Sequence, residues 1–380
     1  VTDSVFRPEQ AAVRGLLRAV GEALGGPVPS EWREAIEAVP RHRFLPDRVW
    51  LADGTGGYEP CDLGSDDRRW FGAAYADVPI VTQVNDGRES SDPWPSSSAS
   101  APSVVVRMLR DLDVRPGMRV LEVGTGTGWN AALLAYRLGP GSVVSVEIDA
   151  EVARQAWASL NAAGLGAEVV HGDGADGWRR RAPYDRILST CSVRRVPWEW
   201  IEQTEPGGIL LTPWDSPVIC WGLLKLTVEE DGAEGRFSPH SAFMLMRTQR
   251  QDLRIFRDVV RDDHVPEESR TFFDPQHVIG DQWEARFALG LRLGDVWTAW
   301  EEDAARLWVA TTDARSWAAV DPEGRVRQYG PRRLWDEVEA AHRWWNEQGR
   351  PGPERFGWTV RADGQGPWLD DPTKSVRQWG

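Results

Sequence analysis

The stretch Val120-Leu121-Glu122-Val123-Gly124-Thr125-Gly126-Thr127-Gly128 constrains this chain most, because an apolar strand runs directly into three alternating glycines and then a helix. Gly124 and Gly126 let the backbone turn tightly and approach a ligand without a Cβ in the way, and Gly128 lets the following helix pack close to the strand. Glycines after a strand also occur as a plain tight turn. Two later acids weigh toward a cofactor site. Glu147 closes a second apolar run, residues 142–146, about twenty residues on, where a carboxylate accepts ribose hydroxyls. Asp173 follows a third short strand.

The acid ahead of the glycines separates cofactor classes. A dinucleotide brings a pyrophosphate to the helix N-H groups, and a carboxylate there repels it. S-adenosylmethionine carries an ammonium and a sulfonium and no phosphate, so Glu122 suits it. This reading places Glu122 near the methionine end, Glu147 at the ribose and Asp173 on the adenine side, with Ile148 among the cofactor-binding residues and Gly124, Thr125, Gly126 and Gly128 forming the turn. Each acid taken singly is equally a solvated loop residue. Three of them at successive strand ends of one sheet make a site.

Composition is compatible with that. A chain of 380 residues is long enough for two domains or more. The net charge of −14 offers no excess of cations to displace counterions, which argues against nucleic acid as the main partner. Cys61, Cys191 and Cys220 lack metal-ligand spacing, so no metal is expected, and they fit a reducing compartment. No segment near Val1 reads as a signal peptide and no apolar run approaches bilayer length, so a cytoplasmic protein without a membrane partner is expected.

The first hundred residues read as a helical start and a long loop region. Residues 8–24 set Ala12, Leu16, Leu17, Val20 and Leu24 on one helical face. Ser30 is placed to cap a second helix through Ala38, with Glu34 near the capping-box position. Residues 46–95, rich in Gly, Asp, Pro and Trp, read as loop. Ser96-Ser97-Ser98-Ala99-Ser100-Ala101-Pro102 then opens an amphipathic helix. Its serines are either a flexible N-cap or a source of a hydroxyl at the mouth of the cofactor cleft.

Residues 118–246 alternate strand and helix: 119–123, 129–138, 143–147, 150–163, 168–171, 186–189, a helix at 198–203 and a strand at 209–213. Two further apolar runs, 218–227 and 242–246, flank the acidic Glu229-Glu230-Asp231-Gly232 and read as a closing hairpin. The fold class is therefore α/β, a Rossmann-like, mainly parallel sheet with antiparallel edge strands. Ligands bind beyond the carboxyl ends of such strands, where the glycine turn, Glu147, Asp173 and the loop at Thr190 all fall. Residues 251–380 hold eleven of the 22 tryptophans and read as a small α+β C-terminal domain, giving expected domains of 1–250 and 251–380. Within it, Trp297, Trp300 and Trp308 sit at helical spacing, 307–312 with 317–320 suggests a hairpin, 331–347 a helix, and the tail after Pro351 loops. Its tryptophans are expected mostly in the core.

The order Val39-Pro40-Arg41-His42-Arg43-Phe44, Ala74-Tyr75, Ser100-Ala101-Pro102, Glu122-Val123-Gly124-Thr125-Gly126, Gly172-Asp173-Gly174 and Gly207-Gly208 resembles the protein-L-isoaspartate (D-aspartate) O-methyltransferases over about residues 7–248. The resemblance implies that Ser100 lies beside the substrate carboxylate, with Ser98 the next candidate, and that the glycine turn, the acids and Gly172 and Gly174 carry S-adenosylmethionine, with S-adenosylhomocysteine as product. The chain also departs from the family. Residues 47–70 form a longer, tryptophan-rich segment, Ser98-Ala99-Ser100 replaces the family's threonine-isoleucine-serine approach, and Cys191-Ser192-Val193-Arg194-Arg195 replaces a small-residue loop. Thr190, Cys191, Arg194 and Arg195 are accordingly assigned to the substrate side.

With its C-terminal addition the chain resembles, less specifically, homologues that modify ribosomally made peptides in lanthipeptide and graspetide pathways. The leading expectation is thus S-adenosylmethionine-dependent O-methylation of an aspartate carboxylate in a precursor peptide, giving an ester that closes to a succinimide. Isoaspartyl repair is the alternative, and a peptide-binding scaffold without turnover is a third reading, distinguished by the absence of methanol release. A peptide or protein is the expected partner. The sequence does not give the oligomeric state.

Overall fold

The apolar run before the glycines forms a central strand because both faces of it are covered. In the computed structural model, which describes residues 3–90, 93–239, 242–276, 280 and 282–377, the chain forms two compact units, residues 1–191 with 199–211, and residues 192–198 with 212–380.

In the first unit, helices α1 (Asp3–Leu24) and α2 (Ser30–Ala38) match the apolar periodicity. The cap of α2 differs from expectation: Pro29 holds that position without a side-chain bond, and Ser30 donates instead to Glu31. Residues 46–95 are not the expected loop, though 91 and 92 of it lie outside the described residues. They supply β1 (Arg48–Ala52), β2 (Tyr58–Asp62), α3 (Asp67–Ala74), β3 (Ile80–Val84) and the start of β4 (Pro95–Ala99). These strands form an antiparallel sheet in the order β2-β1-β3-β4. The β1–β2 turn is built on Asp53, whose carboxylate accepts the N-H groups of Thr55 and Gly57. Val49, Cys61, Trp70, Ile80 and Ala99 make its core.

After α4 (Pro102–Leu112) the chain enters β5 (Val120–Val123), α5 (Trp129–Leu138), β6 (Val143–Glu147), α6 (Ala150–Ala162), β7 (Glu168–His171), β8 (Tyr184–Ser189), α7 (Trp198–Glu202) and β9 (Thr204–Asp215). Within this unit the strand order is β7-β6-β5-β8-β9 and every pairing is parallel, as the continuous apolar strands require. The order reverses between β5 and β8, the switch point at which open α/β sheets take ligands.

The second unit begins before the expected boundary at 250. β10 (Cys220–Glu229) turns directly into β11 (Gly232–Ser238), not into 242–246, and β11 pairs with β17 (Phe356–Arg361), which pairs with β18 (Gly364–Leu369). The hairpin is thereby tied to the C-terminal strands, so the described tail after Pro351 is not the expected run of loops but carries two strands; residues 378–380 lie outside the described residues. A second sheet has the order β12-β16-β15-β14-β13, from β12 (Glu267–Arg270), β13 (Val296–Glu301), β14 (Arg306–Thr311), β15 (Trp317–Val320) and β16 (Arg325–Tyr329). The expected hairpin is β14–β15, and the expected helix spans Leu334–Glu347. Trp297 and Trp300 lie on strand β13, so their odd spacing sends them to opposite faces: Trp297 packs against Trp308 and Trp317, and Trp300 against the core of Leu307 and Trp335. Among the described residues no helix is long and apolar enough to cross a membrane.

Candidate cofactor and substrate site

Gly124, Gly126 and Gly128 all hold positive φ, 90°, 53° and 84°, so the turn demands glycine. A Cβ on Gly124 would stand 2.7 Å from the Thr190 hydroxyl. Gly128 is explained differently from the sequence reading. The close approach it permits is to Ala156 of α6, whose Cβ would lie 3.2 Å from a Cβ at Gly128, not to the preceding strand.

Glu147 ends β6 with 7% of its surface exposed. Its Oε2 accepts the Gly126 N-H at 2.9 Å and its Oε1 that of Asp149 at 3.1 Å. A single carboxylate therefore ties the strand end to the glycine turn. Ile148 is half-buried beside it. Asp149 caps α6 by accepting from Glu151 and Val152, while Gln83 of β3 donates to its other oxygen at 3.0 Å. Asp173 caps the short turn after β7 through the Ala175 N-H, 2.9 Å away. Gly172 donates its N-H to the Glu147 carbonyl, and the Gly174 carbonyl accepts the Trp200 indole N-H at 2.8 Å.

Glu122, expected near the methionine end, turns inward beneath the glycine turn. It has no exposed surface; its Oε1 accepts from Asn130 Nδ2 at 2.6 Å and its Oε2 from the Ser145 hydroxyl. Ser145 in turn meets the Thr125 hydroxyl at 2.6 Å, so the side chains of Glu122 and Thr125 brace the turn from below. Burial, aided by the neighbouring Glu147 charge, pushes the Glu122 carboxyl up to about 7 against its hydrogen bonds. Ser145 and Asn130 were not singled out in the sequence, and Asp149 was missed although an Asp directly ahead of a helix is a cap signature.

The serine segment is ordered strand and not a flexible cap. β4 runs antiparallel to β3, with Val81 opposite Ser98 and Ile80 opposite Ala99. It passes beside the glycine turn, since a Cβ on Gly126 would lie 3.6 Å from the Ser98 carbonyl oxygen. Ser100 follows, half-buried, and Ala101 occupies the cap of α4 without a side-chain bond. The cap comes instead from Asp77, which accepts the Ser103 N-H at 2.7 Å.

On the far side of the turn, the Thr190 hydroxyl donates to the Gly124 carbonyl. The Cys191 carbonyl accepts the Ser189 hydroxyl at 2.6 Å. Arg194 and Arg195 belong to the second unit, where Gln249 Oε1 accepts both of their backbone N-H groups. There Arg194 lies 3.8 Å from Asp215, whose carboxyl burial pushes up to about 6 against that charge.

An open parallel sheet with a glycine turn at its switch point is the class I S-adenosylmethionine-dependent methyltransferase fold. Residues 28–220 match the family model described as protein-L-isoaspartate(D-aspartate) O-methyltransferase, and the chain belongs to that family of carboxyl methyltransferases. A protein-L-isoaspartate O-methyltransferase of Pyrococcus horikoshii is 42% identical over 135 residues, 35% of this chain and 61% of that protein. One from Methanopyrus kandleri is 36% identical over 214 residues, 56% of this chain and 79% of that protein. The chain thus spans under two thirds of the first relative's length. A solved protein-L-isoaspartate O-methyltransferase structure aligns with TM-score 0.55 at 19% identity, covering 94% of this chain and all of its own. That coverage reaches well beyond residue 250.

Proposed function

We propose that this chain methylates the free carboxylate of an isoaspartyl residue in a peptide or protein. The observation that carries the reading is the family match over residues 28–220, which takes in the serine strand, the glycine turn and the acid-bearing strand ends. It favours the alternative of the sequence reading over precursor-peptide tailoring.

The residues fit S-adenosylmethionine: the turn lacks Cβ atoms where a ligand must approach, and Glu147 sits at the strand end next to it. The bound cofactor supplies an electrophilic methyl group on a sulfonium. Glu147 is assigned to the ribose hydroxyls, with Ile148 against the adenosine and Asp173 on the adenine side. A peptide carboxylate is already ionised at neutral pH, so the chain need not provide a general base. Its task is alignment and desolvation of the attacking oxygen. Ser100 is assigned to donate a hydrogen bond to one carboxylate oxygen, with Ser98, two residues earlier, as the next candidate. The ester formed has methoxide as leaving group, and attack by the next backbone nitrogen closes a succinimide with release of methanol.

Tailoring of a ribosomally made peptide is the second reading, favoured by the substitutions clustered at residues 47–70, 98–100 and 191–195. Incubation with labelled cofactor and either an isoaspartyl peptide or an aspartyl peptide of the same sequence tests the choice, with mass spectrometry locating the methyl group. Esterification of the isoaspartyl form supports the proposal, and esterification of the aspartyl form alone supports tailoring.

A further inference from the structure

Arg41 is an arginine with 1% of its surface exposed, and its charge is spread over five backbone carbonyls. Nη1 donates to Ala76 at 3.2 Å and Ala74 at 3.5 Å; Nη2 donates to Val78 at 3.0 Å, Ala99 at 3.1 Å and Ser100 at 3.0 Å. These carbonyls come from two segments remote in sequence, the link between α3 and β3 and the end of β4. The guanidinium also lies 5.7 Å from the ring of Trp129, the first residue of α5 after the glycine turn. The Trp129 indole N-H is anchored on the Val39 carbonyl at 2.9 Å. Asp77, within the same link, holds the N-terminus of α4 through Ser103.

A buried guanidinium whose Nη groups meet only carbonyls, and whose Nε has no partner among the described residues, is an expensive way to join two loops, since desolvation lowers its pKa to about 10 with only the Asp77 charge opposing. A hydrophobic contact would serve cohesion alone. The geometry instead fixes one backbone unit, Ser100, in relation to the helix that follows the cofactor turn.

We propose that Arg41 is a positioning residue for methyl transfer, acting through Ser100: by gripping the Ala99 and Ser100 carbonyls while packing on Trp129, it sets the distance between the Ser100 hydroxyl and the glycine turn. This rests on the assignment of Ser100 to the substrate carboxylate. Lysine cannot replace it, because one ammonium has three donors and no planar fork to span five acceptors.

The test is a double-mutant cycle of R41K and S100A in the full chain, read by kcat and KM for an isoaspartyl peptide, by calorimetric affinity for S-adenosylhomocysteine and by thermal melting. R41K should lower kcat by about 10- to 100-fold, the scale of a small misplacement at the reacting atoms, while cofactor affinity stays within about twofold. Combined with S100A it should cost little more than S100A alone, because both changes remove one function. Multiplicative losses in the double variant, or a loss of cofactor affinity as large as the loss of kcat, would overturn the role of Arg41. Full activity of S100A would overturn the Ser100 assignment first and the proposal with it. If melting shows R41K to be unfolded, D77A releases the same segment from the other side and is read in the same cycle, with multiplicative losses again contradicting the proposal.

Discussion

The Thr190 hydroxyl donates to the Gly124 carbonyl, so the loop leaving β8 is fastened to the turn leaving β5 across the switch point of the sheet. Thr190 also takes the Val123 carbonyl through its backbone N-H at 2.8 Å. The two loops that must flank a ligand are therefore one mechanical piece.

Gly124→Ala should be severe, because the new methyl meets the Thr190 hydroxyl and the backbone holds φ at 90°. A loss of about 2 kcal/mol or more is expected in chemical denaturation. Thr190→Val exchanges the hydroxyl for a methyl and so deletes the bond to Gly124, which should cost roughly 1 kcal/mol or more, with a weaker affinity for S-adenosylmethionine seen by calorimetry.

Glu147→Ala should weaken S-adenosylmethionine by about 1 to 3 kcal/mol, the range for hydrogen bonds to a charged group. Part of that loss comes from the turn, since the carboxylate also holds the Gly126 N-H. Glu147→Gln keeps one acceptor oxygen and should fall between the wild type and Glu147→Ala in the same titration.

Burial pushes the Glu122 carboxyl up to about 7 in the folded chain, against an ordinary value of 4.5. Between these values the folded state binds the extra proton, so its contribution to stability is full below pH 4.5 and fades as pH rises toward 7. Glu122→Gln should remove that slope, on the order of 3 kcal/mol across the window. Asp215 contributes a slope of the same sign at lower pH, so denaturation midpoints of the variant and the wild type must be compared at each pH. Parallel curves would show that Glu122 is not buried as described.

The parallel core was legible because its strands and helices carry uninterrupted apolar runs or clear periodicity; the helix at 129–138 and the strand at 143–147 have the bounds the sequence suggests. The sheet of β1–β4 was not, because its strands are short and β2 exposes three of five residues, leaving no alternation to read. What stabilises it is tertiary: Arg48 pairs with Asp62 across the strands, and Trp70 donates to the Pro46 carbonyl. Of the site, the glycines and the position of Glu147 at a strand end could be read directly. The inward turn of Glu122 could not, because a strand-end acid facing a ligand and one sealed against Ser145 have the same local sequence. Arg41 was quoted only within a motif, since carbonyls 33 to 59 residues away define its environment.

Removing residues 251–380 should not yield a stable 250-residue protein. The cut takes β17 from β11, together with Trp358 and Phe287, whose rings pack on Phe237 and Trp214. Trp358→Ala alone should cost about 3 to 5 kcal/mol, as for a fully buried aromatic. A truncated chain that melts cooperatively at the temperature of the full protein would contradict this division of the units.

The central claim is tested most directly by kcat/KM for two peptides that differ only in having isoaspartate or aspartate at one position, each assayed by methanol released from the ester. The account predicts efficient turnover of the isoaspartyl peptide and little of the aspartyl one, with S100A impaired on the former. Turnover of the aspartyl peptide with none of its isoaspartyl twin would contradict it.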